Sequence, residues 1–238
     1  RDWLLSQVRK HVGPDVDMRH FTPQYMPWDE RLCAVPNADL FHALRDGTAS
    51  MATDEIDRFT ETGIRLKSGM ELEADIVVTA TGLELQMLGG IELRVDGQVR
   101  RFNEQMTYKG VLIQNLPNLA WIFGYTNAPW TLKSDLSARY LARLLRHMDE
   151  RGLEVALPHD ANDCALDDGM LDSLKSGYVQ RRKNLLPRQG RTQPWQVRMH
   201  YPSDRRVLLK DPIEDGLLRF EPVASNARAE GDAFAQTA

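Results

Sequence analysis

The stretch Asp75-Ile76-Val77-Val78-Thr79-Ala80-Thr81-Gly82 says most about the fold of this chain. Its apolar residues follow one another without polar alternation, a pattern typical of a strand buried on both faces of a parallel sheet. Gly82 lets the backbone turn and lets a ligand approach closely. Ligands of open α/β sheets bind at the carboxyl ends of strands, so the stretch predicts a buried strand that leads to a binding site. A strand that only fills the core is the alternative.

The composition is that of an ordinary globular protein. The 238 residues are 42% hydrophobic and 27% charged, with a net charge of −4. This acidic balance gives no electrostatic reason to expect a nucleic acid as a partner. The two cysteines form no Cys-x-x-Cys motif and no cluster with histidine, which argues against structural zinc and predicts a cytoplasmic location. No apolar run is long enough to span a bilayer. The alternative location is therefore a peripheral one, at the surface of a membrane.

Turn residues divide the first half of the chain into short elements. The runs 56–60, 63–66 and 70–72 are separated by turn-type tripeptides, and they predict a β-meander that feeds into the 75–82 strand. The pair Asp96-Gly97 predicts a second hairpin between residues 93 and 99. Short helices are predicted over 3–12 and 37–45, and a last strand over 217–220.

The clearest helix runs from about Pro129 to Arg151, with Asn127 as its predicted N-cap and Gly152 at its end. Its apolar stripe, at a period of 3.6 residues, consists of Leu132, Leu136, Leu141, Leu144, Leu145 and Met148. A buried strand is predicted over 119–123, immediately before Gly124. Free N–H groups and the helix dipole can bind an anion at such a helix start. A capped surface helix is the alternative.

Common nucleotide-binding and catalytic motifs are absent from the sequence and so do not indicate the function. No G-x-G-x-x-G, Walker A, G-x-S-x-G or H-E-x-x-H motif occurs. Arg31 follows Asp29 and Glu30 in a loop rich in proline and aromatic residues. An arginine beside two carboxylates is usually an ion-paired surface group, whereas a fixed guanidinium can also stabilise an anionic intermediate. The residues alone leave both interpretations open.

Several strings of residues together resemble the flavin-containing Baeyer–Villiger monooxygenases, and within them the ethionamide-activating type of actinobacteria. The resemblance is carried by 20–25 (His-Phe-Thr-Pro-Gln-Tyr), 27–33 (Pro-Trp-Asp-Glu-Arg-Leu-Cys), 35–41, 58–66, 75–82, 108–110, 117–119 and 124–133, with a fainter match over 191–195. It covers most of residues 1–220. The resemblance implies an α/β fold that forms the C-terminal part of a flavoprotein with two Rossmann-like dinucleotide-binding domains.

The resemblance also implies how the chain is divided. Residues 1–80 would complete an NADPH-binding domain and carry the active-site loop and the β-meander. Residues 81–222 would complete an FAD-binding domain, and residues 223–238 would form a disordered tail. The chain begins with Arg1 rather than methionine, so we expect a piece of a longer polypeptide whose nucleotide fingerprints lie upstream.

The chemistry that the resemblance implies is an oxygenation that uses FAD, NADPH and O₂. A ketone or a sulfur-containing small molecule would be oxidised by way of a C4a-peroxyflavin. The implied site consists of the catalytic Arg31, the flavin contacts Gly82, Gly124, Thr126, Asn127 and Thr131, and the substrate-pocket residues Tyr25, Trp28 and Trp130, without a metal. The alternative is a truncated, non-catalytic polypeptide that binds no flavin and acts, if at all, through protein contacts.

Overall fold

A computed structural model of the chain describes residues 1–27, 29–30, 32–171 and 176–222, with Asp168 described by its backbone alone. The chain forms two compact units. Unit 1 holds residues 1–84 and 176–178, and unit 2 holds residues 85–171 and 179–222. Both units mix helices with strands, in agreement with the predicted α/β class. The predicted tail over 223–238 lies outside the described residues.

Two short helices pack together in unit 1, α1 (Asp2–Val12) and α2 (Asp39–Arg45). The ring of Phe41 on α2 stacks on His11 of α1, with centroids 6.0 Å apart, and it meets the edge of Phe21 at 5.9 Å. Both helices lie where the sequence predicts them, and aromatic contacts therefore join them to the loop that follows α1.

The β-meander predicted in unit 1 is confirmed. Its strands are β1 (Ile56–Thr60), β2 (Gly63–Leu66) and β3 (Glu71–Glu73), paired antiparallel in that order. Gly63 begins β2 with a φ of 154°, and a Cβ atom there would lie 2.0 Å from the backbone oxygen of Leu72. Only glycine allows β3 to pass this closely, so the turn residue that predicts the meander is also a packing requirement.

The prediction of a buried strand over 75–82 is wrong. The meander ends at Ala74, whose N–H donates to the oxygen of Thr62 at 3.0 Å, and residues 75–83 form no strand and are exposed. Ile76 and Val78 are 80% and 84% exposed. An apolar run becomes a buried strand only where neighbouring strands pair with its backbone and other layers cover both faces. Within the described residues every sheet is antiparallel, and none includes this run.

The strands of unit 2 form four antiparallel pairs. They are β4 (Leu93–Val95) with β5 (Gln98–Arg100), β6 (Thr107–Tyr108) with β7 (Leu112–Ile113), β8 (Leu153–Pro158) with β11 (Leu218–Pro222), and β9 (Ala165–Gly169) with β10 (Arg188–Gly190). The hairpin predicted at Asp96-Gly97 is confirmed, and both residues have the positive φ that a tight hairpin turn requires. The predicted strand over 119–123 is wrong, since only Ala120 forms an isolated bridge, to Leu112.

The predicted long helix is confirmed as α3 (Trp130–Arg151), which ends at Gly152 in the left-handed conformation. It packs against α5 (Tyr201–Leu209) and β8, and the shorter α4 (Gly177–Arg182) precedes β10. The buried face of α3 consists of Lys133, Leu136, Ser137, Tyr140, Leu144 and Met148. Leu132 and Leu145, predicted on that face, are 39% and 59% exposed. Neighbouring helix positions are about 100° apart, so a face that begins at Lys133 leaves Leu132 outside it.

Candidate functional site

Five of the predicted site residues lie together in unit 2, where a turn leads into α3. We call Gly124, Tyr125, Thr126 and Asn127 the 124–127 turn. Thr126 is half-buried, and Asn127, Trp130 and Thr131 are exposed beside it. The turn thus presents polar groups next to the start of the longest described helix.

The prediction that Asn127 caps α3 is wrong. The N-cap residue is Pro129, which has no side-chain acceptor for the free N–H groups of the first helical turn. The amide of Asn127 instead donates from Nδ2 to the backbone oxygen of Met199 at 3.1 Å. Because no N-cap side chain occupies it, the positive end of the α3 dipole is left available to an electron-rich ligand.

Gly124 is buried against the ring of Trp130. A Cβ atom at Gly124 would lie 2.0 Å from Cδ2 and 2.3 Å from Cγ of that ring. Phe123 meets the same ring edge-on at a centroid distance of 4.8 Å, and Trp121 lies 4.9 Å from Phe123. The glycine therefore allows an indole to close over the backbone of the turn, and a contact of Gly124 with flavin stays a prediction.

We expect Gly124→Ala to lower the free energy of unfolding by about 1–3 kcal/mol, the usual cost of overpacking. The added methyl group overlaps the base of the Trp130 ring, so the ring or the backbone of the turn must shift. Chemical denaturation followed by far-ultraviolet circular dichroism measures the change.

The matched control for Gly124→Ala is the same substitution in a Trp130→Ala background. The overlap is then absent, so the added methyl group should cost little, and a double-mutant cycle isolates the Gly124–Trp130 coupling. An equal cost in both backgrounds would show that the ring does not set the requirement for glycine.

A buried polar network lies behind the 124–127 turn. The hydroxyl of Tyr125 donates to Oδ2 of Asp204 at 2.8 Å, and Nζ of Lys133 donates to the same oxygen at 2.7 Å. The side chains of Lys133 and Asp204 are 2% and 11% exposed. Burial and the neighbouring Asp204 carboxylate raise the pKa of Tyr125, so its phenol keeps its proton and acts as a donor.

Sequence reasoning missed Lys133 and Asp204 as site residues. Lys133 precedes Leu136 by three positions and Tyr140 by seven, which places it on the apolar face of α3. A lysine on such a face requires a buried acceptor, and this signal was available in the sequence. The identity of the acceptor was not, because Asp204 lies 71 positions further along the chain.

A second polar cluster in unit 2 was also missed. The hydroxyl of Tyr108 donates to Oδ2 of Asp215 at 2.6 Å, and Nζ of Lys109 donates to the oxygen of Pro212 at 3.1 Å. Burial lowers the pKa of Lys109, and the nearby carboxylate of Asp215 opposes this effect. Lys109 borders a cavity of about 470 Å³ whose charged lining also includes Arg198, Arg206, Asp211 and Asp215.

The described candidates in unit 1 are Tyr25 and Gly82. Tyr25 lines a cavity of about 400 Å³ that is largely apolar, together with Leu4, Leu5, Val8, Phe21, Leu32, Val35, Leu40, Phe41 and Met51. Glu30 and Leu32, which flank position 31, also line it. Gly82 is exposed, with a φ of 112°. Arg31 and Trp28 lie outside the described residues.

The described residues provide neither a candidate metal site nor a candidate membrane-spanning helix. No group of three or more histidine, cysteine, aspartate or glutamate side chains there is arranged to hold a metal ion. None of the helices in the described ranges combines the length and apolar character needed to cross a bilayer.

Comparison with known proteins identifies relatives over nearly the whole chain, although no protein-family model matches it. The chain is 60% identical over 229 residues to the FAD-containing monooxygenase MymA of Mycobacterium tuberculosis, covering 96% of this chain and 46% of MymA. It is 48% identical to the FAD-binding monooxygenase AlmA of Acinetobacter baylyi, covering 93% of this chain and 44% of AlmA. It is 44% identical to the FAD-containing monooxygenase EthA of M. tuberculosis, covering 92% of this chain and 45% of EthA.

The chain is homologous to the FAD-containing monooxygenases and matches a C-terminal portion of them. It spans about half the length of the curated relatives it matches. The resemblance of the chain to the C-terminal portion of flavin-containing monooxygenases is therefore confirmed, and the Baeyer–Villiger type stays a prediction.

Proposed function

We propose that this chain is the C-terminal part of an FAD- and NADPH-dependent monooxygenase that oxidises a ketone or a sulfur-containing small molecule with O₂. The observation that carries the proposal is the start of α3, where an uncapped helix end lies beside the polar 124–127 turn. Similarity to monooxygenases over 96% of the chain supports the same class. When bound, FAD would supply the redox chemistry and the activation of oxygen.

The donor groups at the start of α3 suit the pyrimidine edge of a flavin, which becomes anionic on reduction. The helix dipole stabilises such a charge by about 0.3–1 kcal/mol, and by more where the site is partly buried. We assign Thr126, Asn127 and Thr131 to this edge because their polar side chains lie at or beside the helix start. Gly124 and Gly82 stay in the proposal as positions where backbone passes the cofactor.

We assign residues 1–80 to a Rossmann-like NADPH-binding domain and residues 81–222 to a Rossmann-like FAD-binding domain. The division of the described chain between Glu84 and Leu85 supports a boundary in this region. The exposed apolar run before that boundary supports a Rossmann-like sheet, since Ile76 and Val78 need neighbouring strands to become buried.

We assign the apolar cavity of unit 1 to the substrate, with Tyr25 in its wall and Arg31 as the catalytic cation. The cavity lining is mostly aliphatic and aromatic, which favours an uncharged substrate because a charged one would lose its hydration there. Trp28 and Trp130 stay predicted substrate contacts, independently of this cavity.

Titration of the purified chain with FAD tests the proposed cofactor site. Saturable quenching of flavin fluorescence and a shift in the visible absorption band would support a flavin site formed by this chain alone. Asn127→Leu removes the hydrogen bond that fixes the end of the turn to Met199. Because one hydrogen bond is worth about 0.5–1.5 kcal/mol, the dissociation constant should rise roughly 2- to 13-fold.

The matched control for the titration is Asn103→Leu. Asn103 makes a similar amide-to-backbone hydrogen bond, to Asn184 at 2.9 Å, in another part of unit 2. Its substitution should leave FAD binding unchanged. Absence of any saturable binding would favour the alternative, a non-catalytic polypeptide that acts through protein contacts.

A further inference from the structure

Three segments of unit 2 meet at one carboxylate oxygen. Tyr125 comes from the 124–127 turn, Lys133 from α3 and Asp204 from α5, and both donors bond to Oδ2 of Asp204. The ammonium group of Lys133 also lies 5.3 Å from the centre of the Tyr125 ring. The carboxylate thus fixes Tyr125 by its hydroxyl while the cation lies near its ring.

The chain near α5 also holds the 124–127 turn at a second point. Asn127 donates to the oxygen of Met199, which lies shortly before α5. Two residues of the turn are therefore tied to residues 199–204, one on each side of Thr126. Thr126 and Asn127 are the residues whose polar groups the turn presents.

We propose that Asp204 is a positioning residue that holds the 124–127 turn, through Tyr125 and Lys133, in the arrangement that receives its ligand. The proposal rests on the proposed function for the identity of that ligand, FAD. Replacing buried ion pairs with apolar residues often leaves stability unchanged or raises it, so stability alone is a weak reason for this network. Directional hydrogen bonds that converge on one atom instead select a single arrangement of the turn.

Backbone ¹⁵N NMR relaxation of the chain as it exists tests the positioning directly, without FAD. Tyr125→Phe removes one hydroxyl and keeps the ring. We expect the order parameters of residues 124–128 to fall from about 0.85, the level of rigid backbone, toward about 0.6, the level of flexible backbone, because a hydrogen bond to a charged group is lost. Residues within α5 should keep their order parameters.

Two substitutions of Asp204 separate positioning from general stability. Asp204→Asn keeps an oxygen acceptor and should retain most of the order of the turn, whereas Asp204→Ala should lose it. The control is Asp135→Asn on α3, an exposed carboxylate that faces Arg139 at 3.8 Å, and it should leave the order parameters of the turn unchanged. If Tyr125→Phe left the order parameters of 124–128 unaltered, or lowered them uniformly over unit 2, the positioning role would be overturned.

A parallel titration with FAD distinguishes the failure of this inference from the failure of the proposed function. If the unmodified chain binds FAD, Tyr125→Phe should weaken the binding about tenfold, and unchanged affinity would contradict the positioning of this ligand. If the unmodified chain binds no FAD while the order parameters of 124–128 respond as expected, the proposed flavin site fails and the positioning role stands.

Discussion

Replacement of Lys133 by methionine is expected to lower the free energy of unfolding by about 3–5 kcal/mol, the usual cost of leaving one partner of a buried ion pair without the other. Methionine retains most of the length and apolar surface of the lysine stem, so packing against α5 changes little. The loss comes from Asp204, whose carboxylate stays buried and loses a donor at 2.7 Å. Urea denaturation followed by circular dichroism measures it.

The control for Lys133→Met is Arg139→Met on the same helix. Arg139 faces Asp135 at 3.8 Å with both side chains exposed, and such surface pairs contribute about 0–1 kcal/mol. A triple variant, with Lys133→Met, Asp204→Leu and Tyr125→Phe together, removes the network without leaving an unpaired group. It should therefore be more stable than Lys133→Met alone. A cost for Lys133→Met no larger than that for Arg139→Met would contradict the buried-pair argument.

Elements defined by local signals could be predicted from the sequence. The β-meander follows from turn tripeptides, and the hairpin at Asp96-Gly97 follows from residues that accept a positive φ. The helix α3 follows from a long periodic pattern that ends at Gly152. In each case the residues that determine the conformation lie within the element or next to it.

Elements that depend on distant partners could not be predicted. The runs 75–82 and 119–123 are apolar enough for buried strands, but strand formation needs neighbours that no local pattern supplies. The same holds for Asn127, whose side chain has two possible partners. It bonds to Met199 rather than to the start of α3 because the chain near α5 passes beside the turn.

The candidate site divides in a similar way. The resemblance selected Gly124, Trp130 and Asn127, and the structure brings them together because they are close in sequence. The resemblance did not select Asp204. This residue enters the site from α5, through a contact that spans 71 positions. Residues that support a site from behind leave little signal in a single sequence, since their role is defined only by what they touch.

Arg31→Ala is expected to reduce oxygenation by about 10²- to 10³-fold in the proposed monooxygenase, measured in an enzyme that carries the whole length of its relatives. Removal of a single donor that stabilises developing negative charge has this effect on turnover. Both neighbours of position 31, Glu30 and Leu32, line the apolar cavity of unit 1. A guanidinium acts more strongly on an anionic intermediate in apolar surroundings than in water.

Arg31→Ala should leave the consumption of NADPH largely intact, because flavin reduction precedes the step that needs the cation. Product formation and NADPH oxidation are therefore measured side by side, and their ratio should fall with the variant. Arg31→Lys keeps a positive charge without the planar fork of donors. Its product yield should therefore lie between that of Arg31→Ala and that of the unmodified enzyme. The matched control is Arg45→Ala on α2, an exposed arginine paired with Asp46 at 2.9 Å, which should keep the normal ratio. Normal product formation by Arg31→Ala would remove this residue from the proposed catalytic site.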